Sequence, residues 1–163
     1  MTHFMIRPAA AADINTLVQI HTENSQLTQF QPAAEADQIT FWLDAIRYAE
    51  PQLHVACEGP AVVGVVGFDR SRDSGTPPTT GEIWTLQVTR SFWSRGAALA
   101  LWDSAREDLL QEGCTDVMAW IALGNGRAMR FFELAGFKRV MSSARTVTMQ
   151  GVRSESIRLR RKL

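Results

Sequence analysis

The chain has 163 residues, 45% of them apolar, with Lys+Arg and Asp+Glu balanced at 17 each. That length suits one domain over residues 1–163 with a sizeable core, and the even charge excludes the basic footprint of a nucleic-acid binder or a membrane-surface protein. No stretch approaches the ~18 apolar residues of a membrane span, and no basic segment leading into a long apolar run opens the chain, which sets a cytoplasmic expectation.

Residues 3–9 (HFMIRPA) alternate and stop at Pro8, the pattern of a short first strand. Asp13 stands where a helix cap belongs, ahead of Ile14, Leu17, Val18 and His21 at helical spacing. A polar stretch over 24–33 leads to a second helix over 35–48, with Ile39, Trp42, Leu43 and Ile46 on one face. Residues 53–58 and 61–70 read as a hairpin around Gly59-Pro60. Residues 71–80 (SRDSGTPPTT) are a loop, and 81–89 (GEIWTLQVT) a strand whose imperfect alternation suits burial on both faces.

A helix follows over 96–111, with Ala98, Leu101, Trp102, Ala105 and Leu109 on its apolar stripe. Strand 115–123 comes next, then a short helix within 124–137 carrying Ala128, Phe131, Phe132 and Ala135 on one face. The tail holds two strand-like runs joined at Gln150-Gly151. The order is β-α-α-β-β-β-α-β-α-β-β. The unit from 81 to 123 is a right-handed parallel crossover, and the flanking strands are antiparallel. The fold class is α/β (α+β): a mixed sheet with helices on both faces.

Cys57 and Cys114 sit outside any CxxC pattern beside apolar strand sequence and read as buried free thiols. His3, His21 and His54 are scattered, which argues against a metal cluster.

The start of the 96–111 helix is unusual. A helix start usually takes a polar cap and an acidic first turn, but this one reads Ser94-Arg95-Gly96-Ala97-Ala98-Leu99. The first helical amides have no internal partner, and the peptide dipoles bias that end positive, so it is a natural anion site. Small side chains let an anion approach the backbone. The alternative is a turn that simply needs a glycine. A GxGxxG fingerprint is absent, and no lysine precedes Lys138, so a dinucleotide or a phosphoryl-transfer nucleotide is disfavoured.

The run EIWTLQVTRSFWSRGAALALWDSA, followed by GCTDVMAWIALGNGRAMRFFELAGFKRV, resembles the GNAT family of N-acetyltransferases. That family's pattern is a fourth strand, an Arg/Gln-x-x-Gly-x-Gly/Ala turn, a helix, a fifth strand, then Asn-x-x-Ala-x-x-Phe-Tyr and Gly-Phe. The opening MIRPAAAADINTLVQI is also similar to the family's start. The resemblance implies a mostly antiparallel sheet of six to seven strands whose central parallel pair splays apart. It also implies acetyl-CoA as co-substrate. The Gly96-Ala97-Ala98 turn would hold its pyrophosphate, with Ser94, Arg95 and Leu99 lining the same turn. Leu86, Gln87 and Val88 would run beside the pantetheine arm, and Asn125 would contact the cofactor at a helix start. Arg127 and Arg130 either reach phosphates or are solvated.

Two positions depart from the pattern. Trp93 replaces the Arg/Gln three residues before Gly96, and Phe132 replaces a tyrosine, beside the cofactor, that is often taken to protonate the departing thiolate. Tyr48, the only tyrosine, lies in the second helix. Glu82 is the candidate catalytic base, directly or through water, against a solvent-exposed strand-edge glutamate. His21 and His54 read as structural.

Acceptor recognition falls to loops 23–35 and 71–80, with Glu23, Asn24, Gln26, Gln29, Gln31 and Glu35 as polar candidates. Trp42, Trp84 and Phe30 are possible lining residues, core packing being the other reading for Trp42 and Trp84. The expected reaction is acetyl transfer to a primary amine of a small-molecule or amino-acid-like acceptor, with homodimerisation by family habit. The alternatives are a catalytically weak acyl-CoA sensor, which Phe132 favours, and acetylation of protein N-termini or lysines.

Overall fold

The computed structural model describes residues 3–27, 35–149 and 152–163. Along the chain run β1 (Met5–Pro8), a 3-10 turn (Ala11–Asp13), α1 (Ile14–Leu27), α2 (Glu35–Tyr48), β2 (Gln52–Glu58) and β3 (Ala61–Arg70). Then come β4 (Thr80–Val88), a second 3-10 turn (Arg90–Phe92), α3 (Ala97–Gln111), β5 (Asp116–Ala122), α4 (Gly126–Leu134), β6 (Lys138–Met149) and β7 (Val152–Lys162). This is the order that the apolar spacing predicts. The strands form one seven-stranded sheet in the order β1-β2-β3-β4-β5-β7-β6. Only β4 and β5 run parallel, joined through α3.

Strand side chains alternate between two faces, and each face meets its own helices. On one, Leu53, Val55 and Val65 pack with Ile14 and Leu17 of α1 and Trp42 and Ala45 of α2. On the other, Phe68, Ile83, Val117, Ala119, Ile157 and Leu159 pack with Leu101, Trp102, Ala105 and Leu109 of α3 and Met129 and Phe132 of α4. Burying a large apolar side chain is worth about 1.5–3 kcal/mol, so these two layers hold both helix pairs to the sheet. Gly81 sets the closeness of α3: a Cβ there would stand 2.9 Å from Leu109 Cδ2. No helix among the described residues is long and apolar enough to cross a membrane.

Several local expectations change. Asp13 turns back rather than forward: its carboxylate accepts from the Ala10 amide at 2.7 Å and from Arg7 at 2.8 and 2.9 Å. The Arg7 bond holds its pKa below the ordinary carboxylate value, against the opposing effect of burial. Leu43 is exposed, and Ala45 and Gln38 take the inward positions of α2. Helix α1 runs on to Leu27, into the stretch expected to be polar loop. Phe30, Gln29, Gln31 and the Gln150-Gly151 turn lie outside the described residues.

Candidate active site

Strands β4 and β5 pair over three positions only: Thr80 with Asp116, Gly81 with Val117, and Glu82 with Met118. Beyond them β4 stays with β3 as far as Val88, and β5 stays with β7 as far as Ala122. The two strands therefore part. A bulge accompanies the parting: Ile83 faces Phe68 and Thr85 faces Gly67, leaving Trp84 as the extra residue. Bulges bend and twist their strand. Trp84 is 39% exposed, so it is not a core residue. The β5-facing backbone edge of residues 83–88 has no strand partner among the described residues. Such an edge is a template for an extended ligand with amides of its own.

The start of α3 lies just past the end of β4. Ser94 and Gly96 take φ of 62° and 95°. The helix has no side-chain cap and no acidic residue in its first turn. A Cβ on Gly96 would meet nothing within 4 Å, so the mouth is open. Ala97 is buried, Ala98 partly buried and Leu99 51% exposed. Arg95 lies 5.0 Å from the Phe92 ring and Arg127 of α4 3.6 Å from the Trp93 ring, so two guanidiniums flank the mouth.

Trp93 has its own function here. Its indole N–H donates to the Val88 carbonyl at 2.9 Å and so ties the helix mouth to the end of β4. Val88 is buried, Leu86 leans on the α3-side core, and Gln87 points the other way, its Nε2 3.1 Å from His21 Nδ1 and 2.7 Å from Thr85 Oγ1. His21 thus meets β4 at the splay, and burial keeps its pKa below the usual histidine value.

Asn125 caps α4, its Oδ1 accepting from the Ala128 amide at 3.2 Å. Phe132 is 3% exposed, edge-on to Phe131 and Phe137. Its ring belongs to the core. Tyr48 is 62% exposed on α2. His54 lies between β2 and α3, 2.7 Å from Ser104 Oγ and 3.3 Å from Asp108.

Glu82 is half-buried where the strands begin to part. Ser71 Oγ donates to it at 3.0 Å. Burial pushes its pKa above the ordinary glutamate value; the Ser71 bond and Arg145 oppose that, and Asp73 adds to it. Gly81 and Val117 face α3, so Glu82 and Met118 face the α1/α2 side. The gap therefore joins an anion-ready helix mouth on one face to a carboxylate on the other.

A family model described as Acetyltransferase (GNAT) family matches residues 15–137. This chain belongs to the GNAT acetyltransferase family. The co-substrate of that family is acetyl-CoA. Similar folds include an N-acetyltransferase from Staphylococcus aureus Mu50 (18% identity, TM-score 0.78, 98% of each chain covered). A ribosomal-protein-alanine N-acetyltransferase from Brucella melitensis is also similar (17% identity, TM-score 0.77, 98% of this chain and 99% of that one). So is a phosphinothricin acetyltransferase from Sinorhizobium meliloti in complex with acetyl-CoA (20% identity, TM-score 0.77, 100% of this chain and 89% of that one). The last two differ in the acceptors their names give, so the shared fold leaves the acceptor open. A comparison with curated protein sequences finds no match.

Sequence reasoning missed Trp120, Arg145 and Arg158, which share the Glu82 side of the sheet. Their only local signal is strand alternation, which says that residues 118 and 120 share a face without saying which face carries the site.

Proposed function

We propose that this protein transfers the acetyl group of acetyl-CoA to a primary amine of a small-molecule or amino-acid-like acceptor. The observation that carries this reading is the end of β4–β5 pairing at Glu82 and Met118, beside an uncapped helix mouth. The residues fit the co-substrate. The amides of Ala97, Ala98 and Leu99, open above Gly96, suit a diphosphate, with Arg95 and Arg127 adding charge. The edge at Leu86–Val88 has no strand partner, and its groups other than the Val88 carbonyl, which Trp93 and Asn24 occupy, suit the amides of a pantetheine arm. The co-substrate supplies an activated acyl group as a thioester.

The chain's own residues do the rest. A main-chain amide of the open β4 edge polarises the thioester carbonyl. Holding both reactants in the gap supplies most of the rate. Glu82, its pKa raised by burial, accepts in its ionised form the proton that the amine must lose, directly or through water. Phe132 has no hydroxyl to give the departing sulfur, but a thiol of pKa about 8.5 leaves without such help.

The test is thiol release from acetyl-CoA over a panel of amines. Acceptor-dependent release supports the reading. Tight CoA binding with no release from any amine supports the second one, an acyl-CoA sensor, which the buried Phe132 favours.

The proposal extends to one domain over 1–163, acting in the cytoplasm as a homodimer. Buried free Cys57 and Cys114 support a reducing compartment. Exposed Leu123, Leu134 and Met141 offer apolar surface to a second copy, which sedimentation would detect.

A further inference from the structure

Glu82 has company on its face of the sheet. Two residues beyond Met118, β5 presents Trp120 to the same side, and its indole N–H donates to Asp73 Oδ2 at 2.6 Å. Trp120 is paired across the strands with Arg158 of β7. Arg158 Nε is buried with no hydrogen-bond partner among the described residues. Its own main chain is fixed: the Arg158 amide donates to Ser143 Oγ at 2.9 Å, from the irregular segment between Val140 and Arg145. On β6, Arg145 stands with its guanidinium carbon 3.6 Å from the Trp120 ring centroid. Its charge is felt at Glu82. Neither Arg145 nor Arg158 forms an ion pair among the described residues.

A surface arginine is ordinarily solvated or paired. Here one guanidinium lies over an indole within electrostatic reach of the carboxylate that faces the gap, and the other, across the strands from that indole, has a desolvated nitrogen. A buried guanidinium nitrogen without an acceptor is costly. The exposed guanidinium of Arg145 can give a carboxylate short, charge-assisted bonds, and the charge of Arg158 across the strands adds to its pull. A cationic group beside the reacting amine would be repelled instead.

We propose that the acceptor carries a carboxylate near its amine, and that Arg145 and Arg158 hold this carboxylate at Trp120 while the nitrogen stands at Glu82. The inference rests on the acetyl-transfer reading and narrows its substrate to amino acids. In the step itself, the amine nitrogen bonds to the acetyl carbon. The carbon–sulfur bond breaks, and its electron pair leaves on sulfur. The nitrogen's proton passes to Glu82 and finally to the thiolate, so that an N-acetylamino acid and CoA thiol are the products.

The experiment compares thiol release with free amino acids, their methyl esters and the corresponding decarboxylated amines. The expected result is kcat/KM at least about tenfold higher for an acid than for its ester or amine. Arg145→Gln should raise KM for the acid about tenfold, a larger loss than it causes with the ester or the decarboxylated amine. Arg145 is exposed on β6, so this variant keeps its fold, and circular dichroism checks it. Arg145→Glu should shift preference toward the ester. Equal use of acids, esters and amines overturns the proposal and leaves acetyl transfer standing, as does an Arg145→Gln loss shared equally by all three. Release from no amine at all overturns acetyl transfer, and the proposal falls with it.

Discussion

Gly96 is where a single side chain tests the cofactor site most directly. Its φ of 95° costs an L-residue about 1–2 kcal/mol, while the open space above it means that no core is disturbed. Gly96→Glu should leave the circular dichroism unchanged and lower the melting midpoint by roughly 2–8 °C. The added carboxylate opposes an anion at the helix mouth, so CoA affinity in a calorimetric titration should fall by at least about tenfold. Unchanged affinity would remove the mouth from the site. Glu82 is tested by pH. A base must be ionised to work, and burial has raised this group's pKa. The rate of thiol release should therefore rise with pH through a point above the ordinary glutamate value. Glu82→Gln should flatten that rise and lower kcat about 10²–10⁴-fold. The two sites differ in how much the sequence discloses. The bare glycine-alanine turn is written in consecutive residues. Glu82 acquires Ser71, Asp73 and Arg145 only through the fold, and Phe132, a notable substitution in sequence, is enclosed by core rings.

At the scale of elements, the end of β4 is the part most deliberately fastened. The Val88 carbonyl accepts from Trp93 Nε1 at 2.9 Å and from Asn24 Nδ2 at 3.3 Å. Glu23 of α1 accepts from Thr89 Oγ1 at 3.0 Å and from the Arg90 amide at 2.7 Å. A strand that leaves one neighbour must be held by others, and α1 and the Trp93 turn do that here. Trp93→Phe keeps a ring for Arg127 but deletes the donor to Val88. The loss of one such bond costs about 0.5–1.5 kcal/mol. The expected outcome is a small drop in melting midpoint and a severalfold weaker CoA affinity, with kcat on a saturating acceptor nearly intact. A fall in kcat with unchanged affinity would mean that the latch serves the acceptor instead. Periodicity revealed the strands and the α-helices, though not the two 3-10 turns, because each strand or helix carries an apolar stripe or an alternation of its own. It could not reveal where β4 and β5 cease to pair. That depends on a bulge at Trp84, which has no glycine to mark it, and on register between strands separated by a whole helix.

Across the whole molecule, two histidines sit between layers. His54 ties β2 to α3 through Ser104 and Asp108, and His21 ties α1 to β4 through Gln87. Burial lowers the pKa of both, an effect partly offset by Asp108 for His54 and by Gln87 for His21. A histidine with a depressed folded pKa binds its proton less readily than in the unfolded chain. The stability this difference protects is present above the unfolded value of 6.5 and lost as pH falls through the folded value. Glu82 works in the opposite sense. Its raised pKa contributes stability that is full below the unfolded value of 4.5 and lost as pH rises through the folded value. Two groups against one, with the histidine window opening at the higher pH, decide the direction between neutrality and mild acid: the melting midpoint should fall as pH drops from about 7.5 to 5.5. His54→Gln removes one of the two charging costs, so its midpoint should fall less steeply over the same range, even if it starts lower for want of the imidazole's packing. Parallel curves for the two proteins would show that His54 takes up its proton without opposition from the fold, and that the α3–β2 seam is indifferent to pH.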